Sequence, residues 1–349
     1  MISTEIMKNV WYGCALSQEL SKGKMKSLVL AGEPIVLARN QDGSIYALRD
    51  ICPHRGIPFS FGRMVNDQIE CPYHGWKFNS SGVCTEIPSL CSDQKLDSTK
   101  IKVKKYSVQE KQGVIWIYLS DKDSPRSEDL APAPPTMSAL PMNASPQVIE
   151  QAHFKCHIDH AVIGLMDPAH GPYVHKSVFW RSEKSSHEKS KKFAPVPYGF
   201  QMVKHQPSKN SKAYKILGGQ PTTEITFQIP GVRVEHIQVG NRNVYSLTIL
   251  SPIGPMETKV YSLLYWDMSW LVIVKPLIQA FAHRFLHQDV DAVEKQQEGL
   301  KYDPSLMLIK DADTQAKWYY ALKAEWQQHA VAQREFQNPV RESELRWRS

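Results

Sequence analysis

The first third of the chain alternates short apolar runs with turn residues, the pattern of β-structure. Ile35-Val36-Leu37-Ala38 and Ser44-Ile45-Tyr46-Ala47-Leu48 flank Gln41-Asp42-Gly43, and the Asp-Gly pair has the chemistry that a tight hairpin requires. Val114-Ile115-Trp116-Ile117-Tyr118-Leu119 is a further apolar strand. Residues 121–146 are then crowded with Pro, Ser and Asp, as in Ala131-Pro132-Ala133-Pro134-Pro135. That composition predicts a linker or, failing that, a surface loop.

Beyond it the pattern changes. A helical candidate covers 153–166, a polar loop runs through 181–192, and strands are expected over 224–229, 232–237 and 244–250. Trp318, Leu322 and Trp326 recur at i, i+4 and i+8, one apolar face of a helix. The most apolar stretch, 270–286, is broken by Lys275, Pro276, His283 and Arg284, whereas a membrane span needs about 18 or more apolar residues in a row. It is expected to pack in the interior. No internal repeat is evident. The expected fold class is α+β: an all-β N-terminal domain over 1–120, a linker over 121–147, and an antiparallel-sheet and helix domain over 148–349.

Composition narrows the function. Of 349 residues, 42% are hydrophobic and 22% charged, and the formal net charge is +7. These are ordinary values for a globular protein, which excludes disorder, collagen-like repeats and coiled coils. So mild a surplus, without a long basic run, argues against a nucleic-acid partner. Residues 1–12 lack a basic stretch followed by an apolar run, so no secretory signal is visible. Six cysteines in so long a chain imply a reducing, cytoplasmic setting in which paired cysteines are metal ligands or free thiols. Cys14, Cys84, Cys91 and Cys156 have no partner motif and are expected to be inert thiols.

Two histidine-rich constellations carry the chemistry. In the first, Cys52-Pro53-His54 is followed after sixteen residues by Cys71-Pro72-Tyr73-His74. Zinc sites more often draw both thiolates of a pair from one Cys-x2-Cys knuckle. Here each loop gives one Cys and one His, the division that suits a [2Fe–2S] cluster with two Cys on one iron and two His on the other, the Rieske arrangement. A structural zinc site is the alternative. Trp76 and Arg55 are placed to pack and hydrogen-bond around the group.

In the second, Asp167-Pro168-Ala169-His170-Gly171-Pro172-Tyr173-Val174-His175 closes the helical candidate. Asp167 and His170 are three apart and share a helical face. Gly171-Pro172 is expected to break the helix and turn His175 back beside His170. Two imidazoles and a carboxylate form the facial triad of non-haem Fe(II), with positions left open. Against this stands the plain reading of Asp-Pro as a helix cap and of the histidines as surface residues. His153, His157 and His160 lie just upstream as rivals and are expected on a helix face.

Together these motifs resemble the catalytic α subunit of the Rieske non-haem iron aromatic-ring-hydroxylating oxygenases. The likeness runs from Trp11-Tyr12 through Cys-Pro-His-Arg-Gly at 52–56, Cys-Pro-Tyr-His-Gly-Trp at 71–76 and Asp-x2-His-x4-His at 167–175. It implies that 1–120 is the Rieske domain, with Cys52, His54, Cys71 and His74 on the cluster, and 148–349 the mononuclear iron catalytic domain. It adds Asp289, on a late helix, as the third ligand beside His170 and His175, with Asp291 and Glu294 as rivals. It makes Asp167 a bridge, joining His74 of a neighbouring subunit to His170, and so implies a homotrimer. Relatives often carry an amide or acid three or four places before that Asp, where this chain has Gly164 and Ile163.

The activity so implied is hydroxylation or demethylation of an apolar aromatic or alicyclic substrate. O2 is the co-substrate, activated at Fe(II) when substrate is bound and the cluster reduced. The chain is similar in length to the α-only monooxygenases and demethylases. No Gly-rich dinucleotide motif is present, so electrons are expected from a separate NAD(P)H-dependent flavin reductase, a ferredoxin or both. Basic residues are candidates for docking such a donor, though the segment 181–192, rich in them, reads first as a solvated loop. The competing function is a non-enzymatic Rieske electron-transfer protein with a degenerate catalytic domain.

Overall fold

The computed structural model describes residues 5–123, 126–175, 186–207, 219–332 and 334–349. The chain divides into two compact units, Lys8–Pro134 and Pro135–Ser349 with Met1–Met7.

The first unit is built of short strands: β1 (Val10–Leu16), β2 (Lys24–Leu30), β3 (Glu33–Arg39), β4 (Ile45–Arg49), β5 (Arg63–Val65), β6 (Gln68–Glu70), β7 (Lys77–Phe78), β8 (Cys84–Glu86), β9 (Lys105–Tyr106), β10 (Val108–Lys111) and β11 (Val114–Leu119). They form three antiparallel sheets, ordered β1-β11-β10, β2-β3-β4-β9 and β5-β6-β7-β8. The β3–β4 hairpin turns where Asp42-Gly43 stands. Gly43 takes φ +98°, and the Ser44 amide donates to Asp42 Oδ1 at 2.8 Å. Five successive residues of β3 are buried; the first four, Ile35 to Ala38, are apolar without alternation, and the fifth, Arg39, is paired with Glu110 at 2.7 Å. Val36, Leu48, Phe59, Ile69 and Phe78 form a core that includes Cys52 and Cys71.

The second unit is an eight-stranded antiparallel sheet ordered β12-β18-β17-β16-β15-β14-β13-β19. Its strands are β12 (Val148–Phe154), β13 (Glu188–Val196), β14 (Gly199–His205), β15 (Thr222–Gln228), β16 (Val232–Val239), β17 (Arg242–Gly254), β18 (Glu257–Trp266) and β19 (Ser343–Arg348). The helices are α1 (Ile158–Met166), the one-turn α2 (Gly171–Val174), α3 (Leu271–Leu300) and α4 (Thr314–Val331). A buried ion pair joins α1 to α4. Lys323 Nζ donates to Asp159 Oδ2 at 2.6 Å, and the Tyr319 hydroxyl donates to Asp159 Oδ1 at 2.5 Å. Burial pushes the Asp159 carboxyl up, but His157, the Lys323 ammonium and the Tyr319 hydroxyl beside it outweigh burial and hold the group below the usual carboxylate range.

Four expectations change. Residues 153–154 belong to β12, whose burial alternates with period two, and α1 begins only at Ile158. His157 caps it, its Nδ1 accepting the Asp159 amide at 3.2 Å, so of the three rival histidines only His160 lies within the helix. Residues 188–192 are strand rather than loop, because β13 has a partner on each side, β14 and β19; residues 181–185 lie outside the described residues. The apolar stretch at the start of α3 is not interior. Leu271, Val274 and Ile278 pack on Trp266 and Met268, while Ile273 and Leu277 are 83% and 73% exposed. One stripe suffices to seat a helix, and here apolar residues also occupy the outer face. None of the described helices is long and apolar enough to cross a membrane.

Two candidate metal centres

In the first unit the Cys52 and Cys71 loops share one hydrogen-bond pattern. The Cys52 amide donates to Ile57 O and the Gly56 amide to Cys52 O, both at 2.9 Å. Likewise the Cys71 amide donates to Trp76 O at 2.8 Å and the Gly75 amide to Cys71 O at 3.1 Å. Gly56 and Gly75 sit at φ +75° and +70°, the left-handed region a Cβ disfavours. The first loop is pinned by buried Asp50, which accepts the Ser60 amide at 2.8 Å and the Ser60 hydroxyl at 2.6 Å.

These loops place two thiols and two imidazoles as two pairs. The Cys52 thiol is pushed up to about 11, by burial and then by Cys71 beside it, against opposing backbone hydrogen bonds. The His54 and His74 rings are 4.6 Å apart between centroids, and Trp76 stacks on His54 at 4.5 Å and 5°. Among the described residues, these four do not form a group with donors all within 4.8 Å of one another. Tetrahedral zinc holds its donors about 3.3–3.8 Å apart, so the split into a thiol pair and an imidazole pair fits a two-iron cluster better. His74 Nδ1 is buried without a hydrogen-bond partner, an orphan that a metal ion would satisfy.

In the second unit the turn after α1 does the positioning. Pro168 forces Asp167 into an extended conformation, φ −64° and ψ 117°, and α1 ends at Met166. Asp167 and His170 therefore do not share a helical face. Gly171-Pro172 does not break a helix but starts one, with Pro near the front of α2, where its missing N–H costs nothing. After this single turn His175 returns beside His170, and Asp289 faces both from the middle of α3.

His170 Nε2 and His175 Nε2 are 3.0 Å apart. Asp289 Oδ1 lies 3.7 Å from the first and 3.2 Å from the second, and the three donors all fall within 4.8 Å of one another. His170 Nδ1–H donates to Asp167 O at 2.8 Å, and His175 Nδ1–H to Gln288 Oε1 at 3.2 Å, with tautomers assigned from these acceptors. Each Nε2 is then a bare lone pair. Two lone pairs and a carboxylate converging without a shared proton form a cation site by their donor chemistry. Burial, outweighing the pull of Asp167 and Asp289, lowers the His170 pKa and favours the neutral, ligating imidazole.

Asp167 stays out of the donor set. One of its oxygens accepts the Ala169 amide at 2.7 Å, and the other lies 3.7 Å from His170 Nδ1. Glu294 pairs with Lys155 at 3.6 Å, Asp291 is exposed, and His153 pairs with Glu257 at 2.8 Å. Two residues here had no assigned role in the sequence: Gln288, and Phe285, which stacks on His175 at 3.5 Å and 16°. Phe285 stands four places before Asp289, so helical spacing was the available signal.

His170 and Asp289 border a cavity of about 380 Å³, walled by Leu165, Leu250, Val260, Phe281 and Leu286. His170 and His175 also border a polar cavity of about 220 Å³ that holds Lys189, Lys191 and Arg233.

The family described as the Rieske [2Fe–2S] domain matches residues 10–107. Chlorophyllide a oxygenase of Chlamydomonas reinhardtii is 35% identical over 185 residues, 51% of this chain and 26% of that protein. The oxygenase component of dicamba O-demethylase from Stenotrophomonas maltophilia is 34% identical over 171 residues, 49% of this chain and 48% of the other. The chain thus spans half or less of the length of these curated relatives. The crystal structure of dicamba monooxygenase bound to dicamba superposes with a TM-score of 0.72 at 22% identity, covering 95% of this chain and all of that one.

Proposed function

With a Rieske [2Fe–2S] domain at 10–107 and a sheet-rich second unit in the fold of the Rieske oxygenases, we propose that this chain is the terminal oxygenase of a multicomponent system. It hydroxylates or demethylates an apolar aromatic or alicyclic substrate with O2. Electrons come from a separate NAD(P)H-dependent flavin reductase, a ferredoxin or both. The observation that carries this reading is the convergence of His170 Nε2, His175 Nε2 and Asp289 Oδ1 with both Nδ1 protons engaged elsewhere.

A cluster on Cys52, His54, Cys71 and His74 would supply single electrons, and Fe(II) on His170, His175 and Asp289 would supply O2 activation. The chain's own residues do the rest. Asp167 O accepts the proton at His170 Nδ1 and Gln288 that at His175 Nδ1, so each ring turns Nε2 toward the site. Of the three converging side chains, His170 and Asp289 border the cavity, so an ion they held would act on O2 beside the substrate. Phe281, Phe285 and Leu286 exclude water and seat an apolar ring. Asp167, partly exposed beside His170, links it to the neighbouring subunit's His74, which calls for a cyclic oligomer, most simply a homotrimer.

Iron and acid-labile sulfide on anaerobically purified protein test this. About three irons to two sulfides per chain are expected. Two irons to two sulfides, unchanged by Fe(II) soaking, would leave an electron-transfer protein with a degenerate catalytic domain. His170→Ala should abolish turnover yet leave the cluster's visible spectrum intact; loss of that spectrum would mean the two sites are misassigned.

A further inference from the structure

The cavity beside His170 and Asp289 carries a row of hydroxyls along its sheet wall. Ser246 and Thr248 are two apart on β17 and so share a face, and Ser262 on β18 is paired directly across from Thr248. All three border the cavity, and their side chains have no hydrogen-bond partner among the described residues. Thr248 is only 6% exposed. None of the three hydroxyls is among the described polar atoms sealed away without a partner, so each opens onto the cavity and can exchange a hydrogen bond with a polar group that enters with an otherwise apolar ligand.

Charge decides what that group can be. Among the described residues lining this cavity the charged side chains are Asp167 and Asp289, both carboxylates; no Lys or Arg borders it. The cations near the centre lie on the polar cavity instead, and each is engaged. Lys189 donates to the Ser349 hydroxyl, Lys191 to Gln206 O, and Arg233 to Glu235. Fe(II) on His170, His175 and Asp289 would bring two positive charges, which the Asp167 and Asp289 carboxylates balance, so an anion in the cavity would be stripped of water without a net counter-charge.

We propose that the cavity selects neutral ring compounds carrying a hydroxyl or carbonyl and rejects ring carboxylates and sulfonates. This deepens the oxygenase reading and rests on it. Phe281, Phe285 and Leu264 hold the ring, while Thr248 and Ser262 exchange hydrogen bonds with its polar group.

Calorimetric titration tests it without turnover, on the full chain with its metals, free of O2 and reductant. The probes are 2-naphthol, naphthalene and 2-naphthoate. 2-Naphthol should bind at least about tenfold more tightly than 2-naphthoate. Thr248→Val, which keeps the volume, should weaken 2-naphthol about three- to tenfold and leave naphthalene within about twofold. Equal or tighter binding of 2-naphthoate overturns the proposal. So does an equal loss for 2-naphthol and naphthalene in the variant, and so does no binding of 2-naphthol at all. Iron and sulfide counted on the same sample separate the two readings. A two-iron sample fails as an oxygenase before any probe is added; a three-iron sample that prefers 2-naphthoate overturns the selectivity alone.

Discussion

Gln288 shows how one amide sets the chemistry of its neighbour. By accepting from His175 Nδ1 at 3.2 Å it leaves Nε2 free to bind a metal, and outer partners of this kind are typically worth about 10- to 100-fold in metal affinity. Gln288→Leu should weaken Fe(II) binding by that factor in a metal titration, with the cluster's visible spectrum unchanged. Unaltered affinity would show that Phe285 alone orients the ring. The Cys and His residues were legible in the sequence because their spacing is chemical information in itself. Gln288 was not, since its role depends on helix register and on a histidine 113 residues away.

The link between α1 and α4 is electrostatic as well as apolar. Asp159 and Lys323 are 3% and 2% exposed. Lys323→Met would leave a buried carboxylate without its cation, at a cost of about 3–5 kcal/mol in a urea titration at pH 7. Acid should narrow that gap. In the parent, Asp159 is held below its ordinary value, so its contribution is present above the unfolded pKa and is lost as pH falls through the lower folded one. In the variant burial acts unopposed by Lys323, and protonation begins at higher pH and relieves the penalty. A gap equally wide at pH 5 would count against this account. The same scale explains what patterning revealed and what it hid. The β3–β4 hairpin was legible because Asp42-Gly43 dictates its own turn. The start of α1 was misplaced because residues 153–154 continue the alternation of β12. Gly171-Pro172 reads as a break in the sequence because a proline that opens a helix and one that ends it look alike there. The outward face of α3 was hidden because which side of an apolar helix is covered is decided by the sheet it meets.

At the scale of the whole molecule, the proposed electron path runs between copies of the chain. Sedimentation should give about 120 kDa for a trimer of 39.8 kDa chains. Asp167→Ala should slow oxidation of the reduced cluster about 10- to 100-fold in rapid mixing with substrate and O2, with iron content kept; an iron-free variant would make Asp167 a ligand. The placement of the second centre has one more consequence. Its donors come from a short turn and from the middle of α3, far apart in sequence but inside one compact unit. A bound ion there is a cross-link, and its grip on the fold follows the free concentration of the ion, about 1.4 kcal/mol for each tenfold excess over its dissociation constant. Heating protein stripped of mononuclear iron should therefore lower the melting of the sheet-and-helix unit, and added Fe(II) should restore it in proportion to the logarithm of its concentration. Bleaching of the cluster, which reports on the other unit, should keep its temperature. Iron supply would then set how long the catalytic half of the molecule survives heat.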